Sequence, residues 1–208
     1  MTIGNVARLR AALAAAILAL GLPACSGTSS AQSAYGPGDP SLAAANPGGG
    51  PIDPFLTNGS SVLKALDAIA ERSGKPLRVT SINADRMNGL TVDVQEPKRH
   101  VNVDQFVIAP DGMLSGPTPV KLTSLTGRAI TAADVDAQAF DPKAIRFSRL
   151  TQTAREAIAK SGFSDARVVQ WEFSGLGADD RKYMYLEAAR GRPVAVINRD
   201  LTIVNMQY

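Results

Sequence analysis

Cysteine and histidine each occur once in the 208 residues, as Cys25 and His100. A single cysteine cannot form an internal disulfide, and one of each residue cannot supply the several ligands that a zinc site needs. The same scarcity leaves no Cys/His pair and no serine triad to assemble, so the sequence reads as non-catalytic and implies no cofactor. Aromatic residues make up only 5% of the chain, with one tryptophan and four tyrosines. Neither charge sign prevails: beyond residue 24 there are 20 basic and 19 acidic side chains. That balance excludes the concentrated basic patch required to neutralise nucleic-acid phosphates. The apolar run over 11–22 is too short to cross a bilayer, which takes roughly 20 residues.

What is present begins with that run. Residues 1–24 hold Arg8 and Arg10, no acid and then the apolar segment, the layout of an export signal. Leu22-Pro23-Ala24-Cys25 closes it and resembles the bacterial lipobox, with proline at the second position as a departure from the commonest pattern. The resemblance implies cleavage before Cys25 and acylation of its thiol with fatty chains such as palmitate. Three such chains, at roughly 0.8 kcal/mol per buried CH₂, would anchor the protein to a membrane for good. Ordinary signal cleavage after Ala31 is the alternative and would discard the cysteine. Ser26 stands where an aspartate commonly retains lipoproteins at the inner membrane, which favours the outer membrane, facing the periplasm. In 26–54, 21 of 29 residues are Gly, Pro, Ser or Ala. Such a composition predicts a flexible tether over 25–54, with an r.m.s. reach of about 30 Å.

The rest of the chain repeats. At an offset of 89, Ala68-Ile69-Ala70 matches Ala157-Ile158-Ala159, Arg78-Val79 matches Arg167-Val168, and Asp111 matches Asp200. Each copy opens on an amphipathic helix. Val62, Leu66, Ile69 and Ala70 share one face, between a Ser60 or Ser61 cap and Gly74. Leu150, Ala154, Ala157 and Ile158 share the other, between Ser148 and Gly162. Short extended runs follow over 77–84, 90–95 and 100–108, with a two-residue hairpin at Asn88-Gly89, and over 166–173, 182–188, 193–197 and 201–207. The fold class is α+β: two tandem αβββ units, each a helix on a small antiparallel sheet, at 55–122 and 148–208. Between them, 123–147 is irregular, with a capping box at Thr131 and Asp134 predicting a short helix from Ala132 to about Ala139 and Asp141-Pro142 ending it.

This order, with an apolar strand running into Pro110-Asp111-Gly112-Met113-Leu114, resembles the PepSY-like domains of exported bacterial proteins. Two units in tandem are also similar to the β-lactamase inhibitor protein architecture. That likeness implies a joined concave sheet presented to a protein partner, and it lends no catalytic residues.

The candidate site comes from alternation. If Met184, Leu186 and Ala188 pack on the helix, Tyr183 and Tyr185 face away, and Trp171 and Tyr208 are grouped with them as a binding surface. The bland alternative is that these rings cover a sheet or seal the junction between copies. In the first unit, Thr91, Asp93, Gln95, Asn102 and Asp104 mark the wet face, with Asp93 and Asp104 set across from each other. His100 reads as a partly exposed hairpin residue, and Asp179 and Asp180 as a solvated turn without calcium-loop spacing. The resulting expectation is a lipid-anchored envelope protein that binds a protein or peptide through a sheet face. A carrier of lipid or another apolar ligand is the alternative and requires a wide cavity beneath a curved sheet.

Overall fold

The computed structural model describes residues 54–123, 127–175 and 182–208. The signal segment, Cys25, the tether to residue 53 and the turn at Asp179 and Asp180 lie outside the described residues.

A four-residue turn of helix, α1 (Pro54–Thr57), leads into α2 (Gly59–Ser73). The cap between them is Asn58, two positions before the first of the serines expected. Its side chain accepts from the backbone N–H groups of Ser60 and Ser61, so those serines supply donors rather than the cap. Val62, Ala65, Leu66 and Ile69 of α2 are buried along one stripe, and Gly74 ends it. Four strands follow: β1 (Val79–Asp85), β2 (Gly89–Gln95), β3 (Val103–Ile108) and β4 (Leu114–Pro119). The β1–β2 loop has three residues rather than two. Asp85 pairs with Gly89, whose φ of 77° suits only glycine, and the Asp85 carboxylate accepts from the Met87 and Asn88 N–H groups.

β4, which contains Pro117 and Pro119, adds a fourth strand to the three runs expected of the first unit. It forms because it is an outer strand, where a missing N–H leaves no ladder bond unmade. Helix α3 (Ala132–Gln138) carries the predicted capping box, Thr131 accepting from the Asp134 N–H while the Asp134 carboxylate accepts from the Thr131 N–H. A 3-10 turn at Phe147–Arg149 runs straight into α4 (Leu150–Ser161), so Ser148 lies inside the turn and no side chain caps the helix. Gly162 stops it. The second unit then adds β5 (Arg167–Ser174), β6 (Lys182–Glu187), β7 (Val194–Ile197) and β8 (Ile203–Gln207).

The fold is α+β, and each unit is one helix followed by four strands. All eight strands join in one antiparallel sheet, ordered β4-β3-β2-β1-β5-β6-β7-β8. The units meet at β1 and β5, which are equivalent strands. Ile82 pairs with Phe173 and Ala84 with Trp171. Adding 89 to Ile82 gives Trp171 and to Ala84 gives Phe173, so the offset exchanges the two pairs. Asn83 and Glu172, also 89 apart, pair with each other. A local twofold axis therefore passes through that pair. Both strands also carry a register shift at the same place, between Val79 and Ser81 in β1 and between Val168 and Gln170 in β5.

The helix side of the sheet carries a single apolar cluster drawn from both units, rather than two separate cores. At its centre Trp171, Phe147 and Phe173 lie with ring centroids 5.6–5.8 Å apart, all at most 1% exposed. The Trp171 indole N–H donates to the Phe55 carbonyl at 2.9 Å, tying α1 of the first unit to β5 of the second.

Candidate functional site on the open face of the sheet

The side away from α2 and α4 is assembled by register. One row crosses all eight strands: Ser115, Val107, Thr91, Asn83, Glu172, Tyr183, Val196 and Asn205. A second runs from Asp85 through Gln170, Tyr185 and Val194 to Gln207. The first unit thus contributes mainly small polar side chains, with Val107 among them, and the second contributes the two tyrosines, with Val194 partly exposed and Val196 buried beside them. Tyr183 and Tyr185 lie on this side as expected, with ring centroids 6.1 Å apart, while Met184 and Leu186 are buried beneath.

The other two aromatics do not join them. Trp171 is fully buried on the helix side. The cause is the β5 bulge: Val168 pairs with Leu186 and Gln170 with Tyr185, so Val169 is an extra residue that inverts the alternation after it. Tyr208 continues β8 on the helix side, in phase with Met206, and its hydroxyl donates to the Lys160 carbonyl of α4.

The polar face of the first unit is also revised. Gln95 pairs with Val103, which sets Asp93 opposite Gln105 and Asp104 opposite Val94 on the other side. Asp93 and Asp104 therefore do not face each other, and the Gln105 amide donates to Asp93 at 3.0 Å. Asn102 sits exposed in the turn and donates to Glu96. Gln95 is buried where α3 covers a corner of the open face, donating to Asp136 at 2.7 Å. His100, half exposed, places Nδ1 2.9 Å from the same carboxylate. The Gln95 hydrogen bond, and then the His100 charge, hold the Asp136 carboxyl below the ordinary carboxylate range.

Around the tyrosines the ionisable groups are mostly spoken for. The Tyr185 hydroxyl donates to Glu172 at 3.0 Å, and Gln170 donates to Asn83 at 3.0 Å. Arg167 donates to Glu187 at 2.7 Å, and that bond holds the Glu187 carboxyl below its usual range. Beside them opens a groove of about 780 Å³, lined by Tyr185, Val194, Gln170, Met87, Arg86 and Arg192 among others. Arg86 comes from the β1–β2 turn and Arg192 from the β6–β7 turn. Among the described residues neither makes a hydrogen bond or an ion pair, although Glu187 feels the charge of both. Both arginines were missed in the sequence. Only the three-dimensional pairing of β1 with β5 brings them to one groove.

Burial pushes the Tyr185 phenol above its ordinary range, and the Glu172 carboxylate adds to the rise. A phenol that ionises later in the folded chain than in the unfolded one contributes stability that is intact below about pH 10 and is lost as pH rises from there. The wild type should therefore lose stability above about pH 10 more steeply than Tyr185→Phe. Urea midpoints taken across that range, with parallel curves for the two proteins as the contrary result, check it.

Comparison with known proteins fixes the fold and little else. No family model matches the chain. No curated protein matches it. One crystal structure is similar, that of a lipoprotein candidate (CD1622) from Clostridium difficile 630, at a TM-score of 0.52 and 13% identity. The match covers 74% of this chain and 93% of that one, so it spans both units. At that identity the likeness concerns the backbone alone. Among the described residues no helix is long and apolar enough to cross a membrane, and no group of three or more His, Cys, Asp or Glu side chains could hold a metal ion.

Proposed function

We propose that this is a non-catalytic, lipid-anchored protein of the cell envelope that binds a protein or peptide through the open face of its sheet. The observation that carries the reading is the groove beside the paired rings of Tyr183 and Tyr185, with Arg86 and Arg192 entering it uncommitted. Tyrosine offers wide apolar area with a polar tip, and an unpaired guanidinium can clamp a carboxylate with two parallel bonds. The partner segment would accordingly place an acidic residue beside an apolar one. The Cys25 anchor and the outer-membrane address rest on the lipobox resemblance, and the name given to the protein of similar fold agrees with a lipid anchor. The carrier reading requires a hollow beneath the sheet, and the packed Phe147, Trp171 and Phe173 trio occupies the middle of that space.

The test is photo-crosslinking in intact cells from a benzophenone amino acid placed at position 183 of the full chain, with position 113, exposed on the β3–β4 turn, as control. A discrete adduct from position 183 alone is expected, weakened about tenfold when Arg86→Glu and Arg192→Glu are added, as the loss of one good ion pair would give. Equal adducts from both positions, or none, overturn the reading.

A further inference from the structure

The local twofold axis makes β4 and β8 counterparts as well as the two outer strands of the sheet. The offset of 89 sets Leu114 on Ile203, Gly116 on Asn205, Pro117 on Met206 and Pro119 on Tyr208. An outer strand exposes unpaired backbone groups that invite another strand, and folded proteins commonly guard against this. The β4 edge is guarded. The Val120 N–H donates to the Val103 carbonyl, so alternation turns the backbone nitrogens of residues 117 and 119 outward, and both are proline nitrogens without a hydrogen. A strand approaching β4 would meet no donor at either position.

The β8 edge lacks those prolines, and its one irregularity is Val204, an extra residue between Ile203, opposite Ile197, and Asn205, opposite Val196. Its run Leu201-Thr202-Ile203-Val204-Asn205-Met206-Gln207-Tyr208 contains no proline, no glycine and no charge. Val204 stands 57% exposed on it. We infer that β8 is a pairing edge and that its occupant is β8 of a second copy of this chain, laid antiparallel about a twofold axis.

Three observations select the second copy over an unrelated strand. In an isologous antiparallel pair the residues nearest the axis meet their own copies or immediate neighbours, so a charge near the axis would confront its like. The β8 run carries no charged side chain, although 20% of the residues of the whole chain are charged. Antiparallel pairing of equivalent strands is also how the molecule joins its own halves, at β1 and β5. Finally, the guarded β4 edge ends the assembly at two copies, since neither outer strand of the joined sheet can then accept a third. A free edge at both ends would instead give an open fibre. The inference is independent of whatever occupies the open face.

Cysteine crosslinking of the full chain in its own membranes tests this. Single substitutions Val204→Cys, Asn205→Cys and Gln207→Cys, all at exposed positions, are oxidised with copper phenanthroline beside Thr118→Cys on the β4 edge. A disulfide dimer from at least one β8 position, and at least fivefold less from Thr118→Cys, is expected. Adding Val204→Lys to the responsive Asn205→Cys or Gln207→Cys form should remove the dimer through like charge, and co-expressing the Val204→Lys and Val204→Glu forms should restore it. Because Val204 is exposed, neither change should unfold the chain, which far-UV circular dichroism checks. Absence of crosslinks from every β8 position, equal crosslinking from β4, or indifference to Val204→Lys overturns the inference.

Discussion

Trp171→Ala should destabilise the protein by about 4 kcal/mol, at the upper end of what a core truncation costs. The ring is fully buried, meets Phe147 and Phe173 with centroids 5.7 and 5.6 Å away, and satisfies the Phe55 carbonyl through its N–H. Alanine removes the packing and leaves a cavity that the neighbouring strands cannot close, because Trp171 sits on β5 between β1 and β6. Trp171→Phe separates the two contributions. It keeps most of the volume and removes only the indole hydrogen bond to the Phe55 carbonyl, so its cost should be about 1 kcal/mol. A domain of this size has a net stability of roughly 5–15 kcal/mol, so the alanine variant should lose a large part of it. Urea unfolding followed by far-UV circular dichroism measures both. Tyr208→Ala, at an 81% exposed position, should cost less than about 1 kcal/mol. A Trp171→Ala protein as stable as Tyr208→Ala would mean that the central aromatic trio does not hold the sheet to its helices.

Placing Trp171 shows where sequence pattern and structure part. The α+β class, the duplication, the capping box at Thr131 and the outward direction of Tyr183 and Tyr185 were all legible, because each depends on local spacing. The side of the sheet on which Trp171 falls depends on one bulge. Continued from Ala166 and Val168, strict alternation sends residue 171 outward. The extra Val169 reverses it. A signal was present in Gln170-Trp171-Glu172-Phe173, whose own alternation sets the rings together and the polar residues together. The same shift between Val79 and Ser81 in β1 shows that both units share the device. Asp104 was misplaced for a related reason: the register of Gln95 on Val103 is a property of the pairing, and neither strand alone states it. β4, Leu114–Pro119, carries two prolines and no apolar alternation, so its local pattern does not state a strand. Arg86 and Arg192 lie 106 positions apart in the sequence and meet only because equivalent strands of the two units pair at the centre.

The second large effect reverses an ordinary rule. Replacing glycine by alanine in a helix normally stabilises it by up to about 1 kcal/mol, since glycine has more freedom to lose. Gly59 opens α2 and is buried, and a Cβ placed there would lie 1.7 Å from the Phe147 carbonyl oxygen and 2.5 Å from its carbon. Both are backbone atoms of the 3-10 turn that feeds α4, so no side chain can swing aside to make room. Either the start of α2 or the turn must move, and the turn carries Phe147 into the aromatic trio. Gly59→Ala should therefore destabilise by about 3 kcal/mol or more, beyond the usual cost of overpacking, because the displaced atoms are backbone. Ser60→Ala next to it, at an exposed position, should stay within about 0.5 kcal/mol of the wild type. The contact joins the first helix to the entrance of the second unit, so the loss should shift one cooperative transition for the whole sheet. Near-UV circular dichroism, which reports Trp171 in the second unit, should move in step with the far-UV signal. Separate transitions in Gly59→Ala, or a variant more stable than the wild type, would show that the two units stand independently despite sharing one core.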